Sequence, residues 1–346
     1  MEIISLSEVS EVKTGTKNRE NNEENGLYPF YTRSQNILKS SEYTIDDEAI
    51  IIPGEGIFIP IWHSGKAAVH QRTYIVKSSD NKRLLNKYLY YWWSKNKIIL
   101  DKSAVGSTVK SLRKFHFLNP KIKLPSILYQ LDIIAIIEPF ERLLEITNKK
   151  IELLIKLGDK LIELVKNECY LKNLSNITAG SSPPQFPEYW ENGNIPFLNI
   201  KDLTNTPIIT KVDSFITDLA FKKYNCKKID KYSVLIGKVS PDKDKISLST
   251  IDSVVNGAIR IIKPFQKENA FQLFFALRNK SDYIKKIATG SVQQQINSNQ
   301  LYNLLIKFDT KMNNYFILLF KLLFILEKIK NKLKSIIRNI VKIYVK

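Results

Sequence analysis

Cysteine is scarce in this chain of 346 residues: Cys169 and Cys226 are the two present, too few for a disulfide framework or a zinc site by themselves. Sparse thiols of this kind fit a reducing cytoplasm. Histidine is scarce too, and His63, His70 and His116 have neither metal-ligand spacing nor cysteine partners. Residues Met1 to Glu8 lack a basic segment followed by an apolar one, so no secretory signal is expected. Long apolar runs are missing too. The most apolar stretch, Tyr315 to Leu326, is broken by Lys321 and is about a dozen residues long, where a bilayer span needs roughly 20. These absences predict a soluble cytoplasmic protein. Catalytic loops are also absent: there is no G-x-x-x-x-G-K-[ST] phosphate loop, and no glycine-rich cofactor loop with an Asn/Asp-Pro-Pro-aromatic motif. Pro53-Gly54-Glu55-Gly56 is too short and lacks a following lysine, and it reads as a strand-ending turn that aims side chains. Pro241-Asp242 with Lys243 and Lys245 reads as a solvated loop and not as a nuclease centre.

What is abundant is positive charge. Lys and Arg number 53 against 34 Asp and Glu, a net charge of +19, and such a field attracts polyanions. Hydrophobic content of 44% and aromatic content of 11% are globular values, and the length allows two or three cores of ordinary size.

The chain also repeats itself. Ile45-Asp46 lies on Ile229-Asp230 and Ile50–Ile52 on Val234–Ile236, an offset of 184 (45 to 229). The same offset carries Leu89-Tyr90-Tyr91 onto Leu273-Phe274-Phe275, Ala104-Val105-Gly106-Ser107 onto Ala288-Thr289-Gly290-Ser291, and Ile122-Lys123-Leu124 onto Ile306-Lys307-Phe308. Thr14-Gly15-Thr16 instead matches Ala179-Gly180-Ser181 at an offset of 165 (15 to 180). The second copy therefore holds 19 extra residues between Gly180 and Cys226. Each copy opens with an apolar lead-in and a glycine turn, and continues with β-branched segments that read as strands: Ala49–Ile52, Ile57–Trp62, Arg72–Val76, Ser233–Gly237 and Ala258–Ile262. An aromatic amphipathic helix (84–100; 270–287) and a Gly-Ser loop follow. Tyr88, Tyr91 and Trp92 at helical spacing read as core.

A long helical pattern closes each copy. Residues 126–137 read as a short helix, and Pro139 as the first turn of a longer one running to about Asn167. Its apolar seam is Phe140, Leu144, Thr147, Ile151, Leu154, Gly158, Leu161 and Val165. The second helix shows a seam of Tyr315, Leu319, Leu322, Leu326, Ile329, Leu333, Ile336, Ile340 and Ile343. Two such seams favour antiparallel pairing within one chain. A helix of about 29 residues is roughly 43 Å long, a little over one turn of duplex DNA at about 34–36 Å, so the helical linker specifies a separation.

The sequence resembles the specificity subunits of type I restriction-modification systems over essentially its whole length. The resemblance is carried by Leu6-Ser7-Glu8-Val9 leading to Thr14-Gly15-Thr16, and by Ile177-Thr178-Ala179-Gly180-Ser181-Ser182-Pro183-Pro184. It continues in Glu188-Tyr189-Trp190, in Gly193-Asn194-Ile195-Pro196-Phe197, and in Leu124-Pro125-Ser126 followed by Gln130. It implies an α+β fold with two similar globular target recognition domains separated by long antiparallel, coiled-coil-like helices. The expected domains are residues 1–124 and 169–308, with helical spacer regions at 125–168 and 309–346. It further implies that each domain reads one half of a bipartite target in double-stranded DNA. The helices would set the spacer and dock DNA-methyltransferase subunits, two of them, together with restriction endonuclease subunits in the full complex. No membrane partner is expected. The chain would be non-catalytic and hold no cofactor or metal, with S-adenosylmethionine, Mg and ATP on partner subunits. Two departures stand out: the second copy has Asp309-Thr310 and Asn314 in place of the Pro-Ser…Gln helix start, and little sequence follows the second helix. Two other readings remain. One is a recognition subunit of a related system with methylation and cleavage arranged differently. The other is a non-enzymatic coiled-coil scaffold that binds nucleic acid without sequence preference or lies on a membrane surface.

DNA readout needs Lys and Arg for phosphates and polar side chains for base edges. In the first module the candidates are Tyr31, Thr32, Arg33, Ser34, His63, Lys66, His70 and Arg72, with Lys110 and Arg113 after the Gly-Ser loop. In the second they are Asn199, Lys201, Lys238, Ser240, Lys243, Asn256 and Arg260, with Gln293, Gln294 and Gln295 in its Gly-Ser loop.

Overall fold

The computed structural model describes residues 2–23, 25–34, 37–204, 206–290 and 294–346. The chain divides into two units, one formed by residues up to Leu144 with Leu333–Lys346, the other by Glu145–Lys332.

The first unit is built on the run Ala49–Pro53, whose five residues are all buried. A strand covered on both faces needs apolar residues at every position, and the side chains alternate between two cores. Ile50 and Ile52 pack with Val76 and with Tyr88, Leu89, Trp92 and Trp93 of the helix Asn86–Ser103. Ala49 and Ile51 pack with Tyr31, Ala67 and Val69 of a second sheet. The first sheet has the order Ser10–Thr14, Thr73–Ser78, Ala49–Pro53, Ile61–His63. The second has the order Leu38–Ser40, Tyr28–Tyr31, Lys66–Val69, Ile45–Asp46. Glu2–Ser5 pairs antiparallel with Lys121–Leu124 and closes the module.

The second unit repeats this plan. In Val234–Gly237, Val234 and Ile236 face the core shared with the helix Asn269–Asn279, while Leu235 faces Leu198 and Val255. Its main sheet has five strands: Ser175–Ala179, Ile259–Pro264, Val234–Gly237, Ile246–Ser249 and Ile208–Ile209. The companion sheet runs Ser214–Ile216, Ile195–Leu198, Ser253–Val255, Lys228–Ile229. The extra residues of this copy include the fifth strand and the short helices Ile200–Leu203 and Asp218–Lys223.

The backbone hydrogen bonds repeat with the sequence. Leu6 N donates to Pro120 O and Leu171 N to Leu304 O; Gly15 N donates to Thr73 O and Gly180 N to Ile259 O. Leu112 N donates to Gly54 O and Ile296 N to Lys238 O. They also correct the register. Across the strands that pair Ile50 with Val76 and Val234 with Ile262, the offset is 184 on one strand (50 to 234) and 186 on the other (76 to 262). Two residues are gained before this strand and lost again before the Gly-Ser loop, so the match is not ungapped.

Several expected elements shift. Residues 57–62 are not one strand: the strand is Ile61–His63, and Phe58 turns into the core ahead of it. The helix expected over 270–287 is two, Asn269–Asn279 and Ser281–Ile287, broken where Lys280 leaves helical geometry (φ −91°, ψ 7°). Pro139 does not start a new helix; it lies inside a single helix, Ile127–Glu163. A proline there costs about 3 kcal/mol, and burial of Ile133 and Ile137 just before it and Thr147 and Ile151 after it outweighs that loss. The first seam matches the side of the helix that is covered, since Thr147, Ile151 and Gly158 are buried. The second seam matches only in part, at Leu319 and Leu333. In Asn313–Tyr344 the covered positions are Phe316, Leu319, Phe320, Leu323, Leu333 and Val341, whereas Tyr315, Leu322, Ile329 and Ile343 are exposed. That helix is apolar over more than one stripe, so the pattern alone leaves open which stripe meets the module.

The two long helices share cores in antiparallel order. In the first unit Ile133 and Ile137 pack with Val341 and Val345. In the second, Ile151 and Ile162 pack with Phe316, Leu319, Phe320 and Leu323.

Candidate nucleic-acid interface

The candidate residues stand on a scaffold whose turns are fixed by close backbone approach. A Cβ on Gly15 would overlap the carbonyls of Val69 and His70, and one on Gly180 the carbonyls of Val255 and Asn256. Glycine is required at both for lack of space. Gly106 and Gly290 each begin their Gly-Ser loop at positive φ, +131° and +136°.

In the first module, Arg33 Nη1 donates to Glu55 Oε2 at 2.6 Å and Arg72 Nη1 to Glu55 Oε1 at 2.9 Å. The Arg33 hydrogen bond, with help from Arg72, holds the Glu55 carboxyl below the usual glutamate range. Arg33 and Glu55 line an open cavity of about 400 Å³ together with Thr32, Ser34, Gly56 and His70. His70 is buried, and its Nδ1 accepts the backbone N–H of Arg72 at 3.0 Å. Burial, and then the two arginines, lower its pKa, so the neutral ring with Nε2 protonated is favoured. Glu55 was not among the candidates read from the sequence. The signal for it was a carboxylate between two glycines, with Gly56 at φ +82°.

Other expected readers of this module lie inside it. Tyr31 and His63 are buried, with Tyr31 Oη 3.1 Å from His63 Nδ1, and His63 Nε2 meets Gly65 O at 2.9 Å. They are therefore not the exposed turn residues the sequence suggested. Thr32 is buried too, its Oγ1 accepting from Ser34 N. Lys66 is exposed, with its ammonium 4.7 Å from the centre of the Tyr43 ring. Lys110 and Arg113 are exposed, and Lys110 O accepts from Gly56 N, which ties the Gly-Ser loop to the rim of the cavity.

In the second module, Asn199 and Asn256 come together: Asn256 Nδ2 lies 3.4 Å from Asn199 Oδ1, and Asn199 Nδ2 lies 3.3 Å from Ser214 Oγ. Asn256 Oδ1 also accepts from Ala258 N at 2.8 Å. Lys201 and Ser240 are exposed and Lys238 is half-buried. Ser240 N donates to Gln294 O, repeating the Gly56–Lys110 link. Gln295 pairs with Thr289, and Gln293 lies outside the described residues. One candidate has a protein role. Lys243 is paired with Asp159 of the long helix at 2.7 Å, and Arg278 grips the same carboxylate through Nε and Nη2, both at 3.2 Å. Arg260 is half-buried; its Nε has no partner among the described residues, and burial lowers its pKa.

No group of His, Cys, Asp and Glu among the described residues could hold a metal ion, and no helix among them is long and apolar enough to cross a membrane. Two diverged polar surfaces thus stand on one repeated scaffold, each module joined to long helices. A family model for the type I restriction modification DNA specificity domain matches residues 1–156 and 166–308. The chain belongs to that family. It is 24% identical over 252 residues to the EcoR124I/EcoR124II specificity subunit of Escherichia coli, covering 67% of this chain and 61% of the relative. It is 26% identical over 124 residues to the EcoDI specificity subunit of the same organism, covering 36% and 27%. The chain thus spans less than two thirds of the length of these relatives. In fold it is similar to a type I restriction-modification system S subunit from M. genitalium, with TM-score 0.55, 15% identity, and 99% and 95% of the two chains covered.

Proposed function

We propose that this chain is the DNA-recognition subunit of a type I restriction-modification assembly, each module reading one half of a bipartite target in double-stranded DNA. The observation that carries this reading is the pattern of divergence in the repeat. Backbone hydrogen bonds recur pair for pair, as in Gly15–Thr73 and Gly180–Ile259, while the loops they hold differ in chemistry. A scaffold kept constant under changed polar side chains is what reading two different base sequences requires. Membership of the specificity-domain family supports the same reading.

The long helices set the spacer and dock the methyltransferase subunits, two per chain, with endonuclease subunits joining in the complete complex. Both helices keep large apolar side chains exposed, among them Leu128, Leu153 and Leu157 on the first and Tyr315, Leu318 and Ile325 on the second. Apolar side chains repeated along a helix outside its covered side suit a partner-docking role. Methyl transfer and cleavage belong to those partners, with S-adenosylmethionine, Mg and ATP bound there, and the assembly acts in the cytoplasm.

Co-expression with the partner DNA-adenine methyltransferase, followed by genome-wide mapping of modified adenines, tests the reading. A gapped two-part motif is the expected result. Modification without any motif, or binding that stays unspecific at every salt concentration, would reject it in favour of a nonspecific scaffold.

A further inference from the structure

We infer that Arg33, Glu55 and Arg72 form a single guanine-reading unit, so that the half-site read by the first module contains two G·C base pairs contacted by these arginines. The inference rests on the reading of this module as a DNA-recognition domain.

A guanidinium carries five N–H donors in a fixed fork. Arg33 and Arg72 each spend one on Glu55, at 2.6 and 2.9 Å. Neither guanidinium has a further hydrogen bond or ion pair among the described residues, and the side chains are 42% and 59% exposed. One carboxylate with an oxygen on each arginine fixes two otherwise mobile forks side by side at the cavity that Arg33 and Glu55 line, with the rest of both exposed guanidinium groups free to donate. His70, at the same cavity, has its Nδ1 occupied by the Arg72 backbone N–H, so in the neutral ring Nε2 is a third donor. The surface is donor-rich. In the major groove guanine presents two acceptors, N7 and O6, whereas adenine pairs an acceptor with a donor and cytosine offers a donor. Guanine is the base this arrangement fits.

Two alternatives explain less. A phosphate site gains from uncompensated positive charge, yet Glu55 sits between the arginines and would repel a phosphate. A purely structural role fails on the internal comparison. His70 N donates to Tyr31 O as Asn256 N does to Leu198 O, and Gly54 N donates to Arg72 O as Lys238 N does to Ala258 O. Tyr31 pairs with Val69 as Leu198 does with Val255. With Val105 bridged to Ser111 as Thr289 is to Gln295, and Glu55 and Val239 bridged to the same loop residues, the second module holds Ile200, Val239 and Ala258 where the first has Arg33, Glu55 and Arg72. The scaffold folds without the charges.

The test maps modified adenines in complexes of the full subunit with its methyltransferase partner, comparing wild type with Arg33→Ala, Arg72→Ala and Glu55→Gln. Wild type should give a two-part motif. Each arginine variant should relax one G·C position of the same half-site, with discrimination falling about 10–100-fold, while the other half-site is unchanged. Glu55→Gln should weaken discrimination at both positions. An intact motif in all three variants, or activity lowered evenly at every site as expected of phosphate contacts, overturns the guanine unit and leaves the DNA-recognition reading standing. A relaxed position occupied by A·T also overturns it. Absence of any motif in wild type overturns both.

Discussion

The two modules share a backbone and differ in how each is fastened to its helix. In the first, Gln130 at the head of the long helix is fully buried: its Oε1 accepts from Leu85 N at 2.9 Å, and its Nε2 donates to Arg83 O at 2.8 Å and Pro125 O at 3.0 Å. Further along, Glu141 accepts from Lys87 at 2.8 Å and from the Tyr91 hydroxyl at 3.0 Å. Burial and then Glu141 push the Tyr91 pKa far up, so it remains a donor. In the second module the positions 184 residues on from Lys87 and Tyr91 are Phe271 and Phe275. Phe271 stacks on Phe320, and Phe275 presses on the long helix where Gly158 leaves room. The polar tie moves to Asp159, shared by Arg278 and Lys243. One fold thus accepts a polar or an aromatic fastening, provided buried polar groups find partners.

That contrast can be broken most forcefully at Asp159. Removing it leaves Arg278, whose side chain is 9% exposed, without its carboxylate, and Asp159→Ala should destabilise the second unit by about 3 kcal/mol. Glu141→Ala, which frees a lysine and a neutral hydroxyl, should cost about half as much. Urea denaturation of both variants checks the ranking, and equal losses would contradict it. Next comes the helix start. Gln130→Ala should cost about 2 kcal/mol, since an amide and two carbonyls lose their partner. The aligned Asn314 is exposed, so Asn314→Ala should stay within about 0.5 kcal/mol in the same assay. A smaller effect is expected at Gly158. Alanine normally stabilises a helix interior relative to glycine by about 1 kcal/mol, but here its Cβ would overlap the Phe275 ring. Gly158→Ala should therefore lower the melting temperature, and a rise would remove the packing argument. The smallest effect concerns pH. The folded protein disfavours charged His70, so its contribution is complete above the unfolded value of about 6.5. That contribution is lost as pH falls from there through the lower folded pKa. His70→Asn, which imports the Asn256 of the second module, should flatten that decline in a series of thermal melts across pH. Parallel curves for variant and wild type would exclude the coupling.

Much of the scaffold was legible in the sequence because it depends on local chemistry repeated twice. Ile50–Ile52 and Val234–Ile236 announce strands buried on both faces, and Gly15 and Gly180 announce a tight turn. The site was legible in part. Arg33, Arg72 and the two asparagines of the second module were reached through residue type alone, yet Tyr31, Thr32 and His63 carry the same hydrogen-bonding chemistry and lie buried. Composition does not distinguish a hydroxyl that faces a groove from one that satisfies a core partner. Lys243 was likewise indistinguishable from a free cation until Asp159 was placed beside it.

By itself the sequence determined that there are two modules, each with a long helix, and that an insertion lengthens the second copy. Repeats and apolar periodicity are properties of order along the chain, and they survive without coordinates. Tertiary structure alone decided which stripe of Asn313–Tyr344 is covered, that Pro139 is carried through one continuous helix, and that Glu55 gathers Arg33 and Arg72 into one cluster. Each depends on residues far apart in sequence meeting in space, where packing outweighs local propensity and a carboxylate acquires partners 22 and 17 positions away.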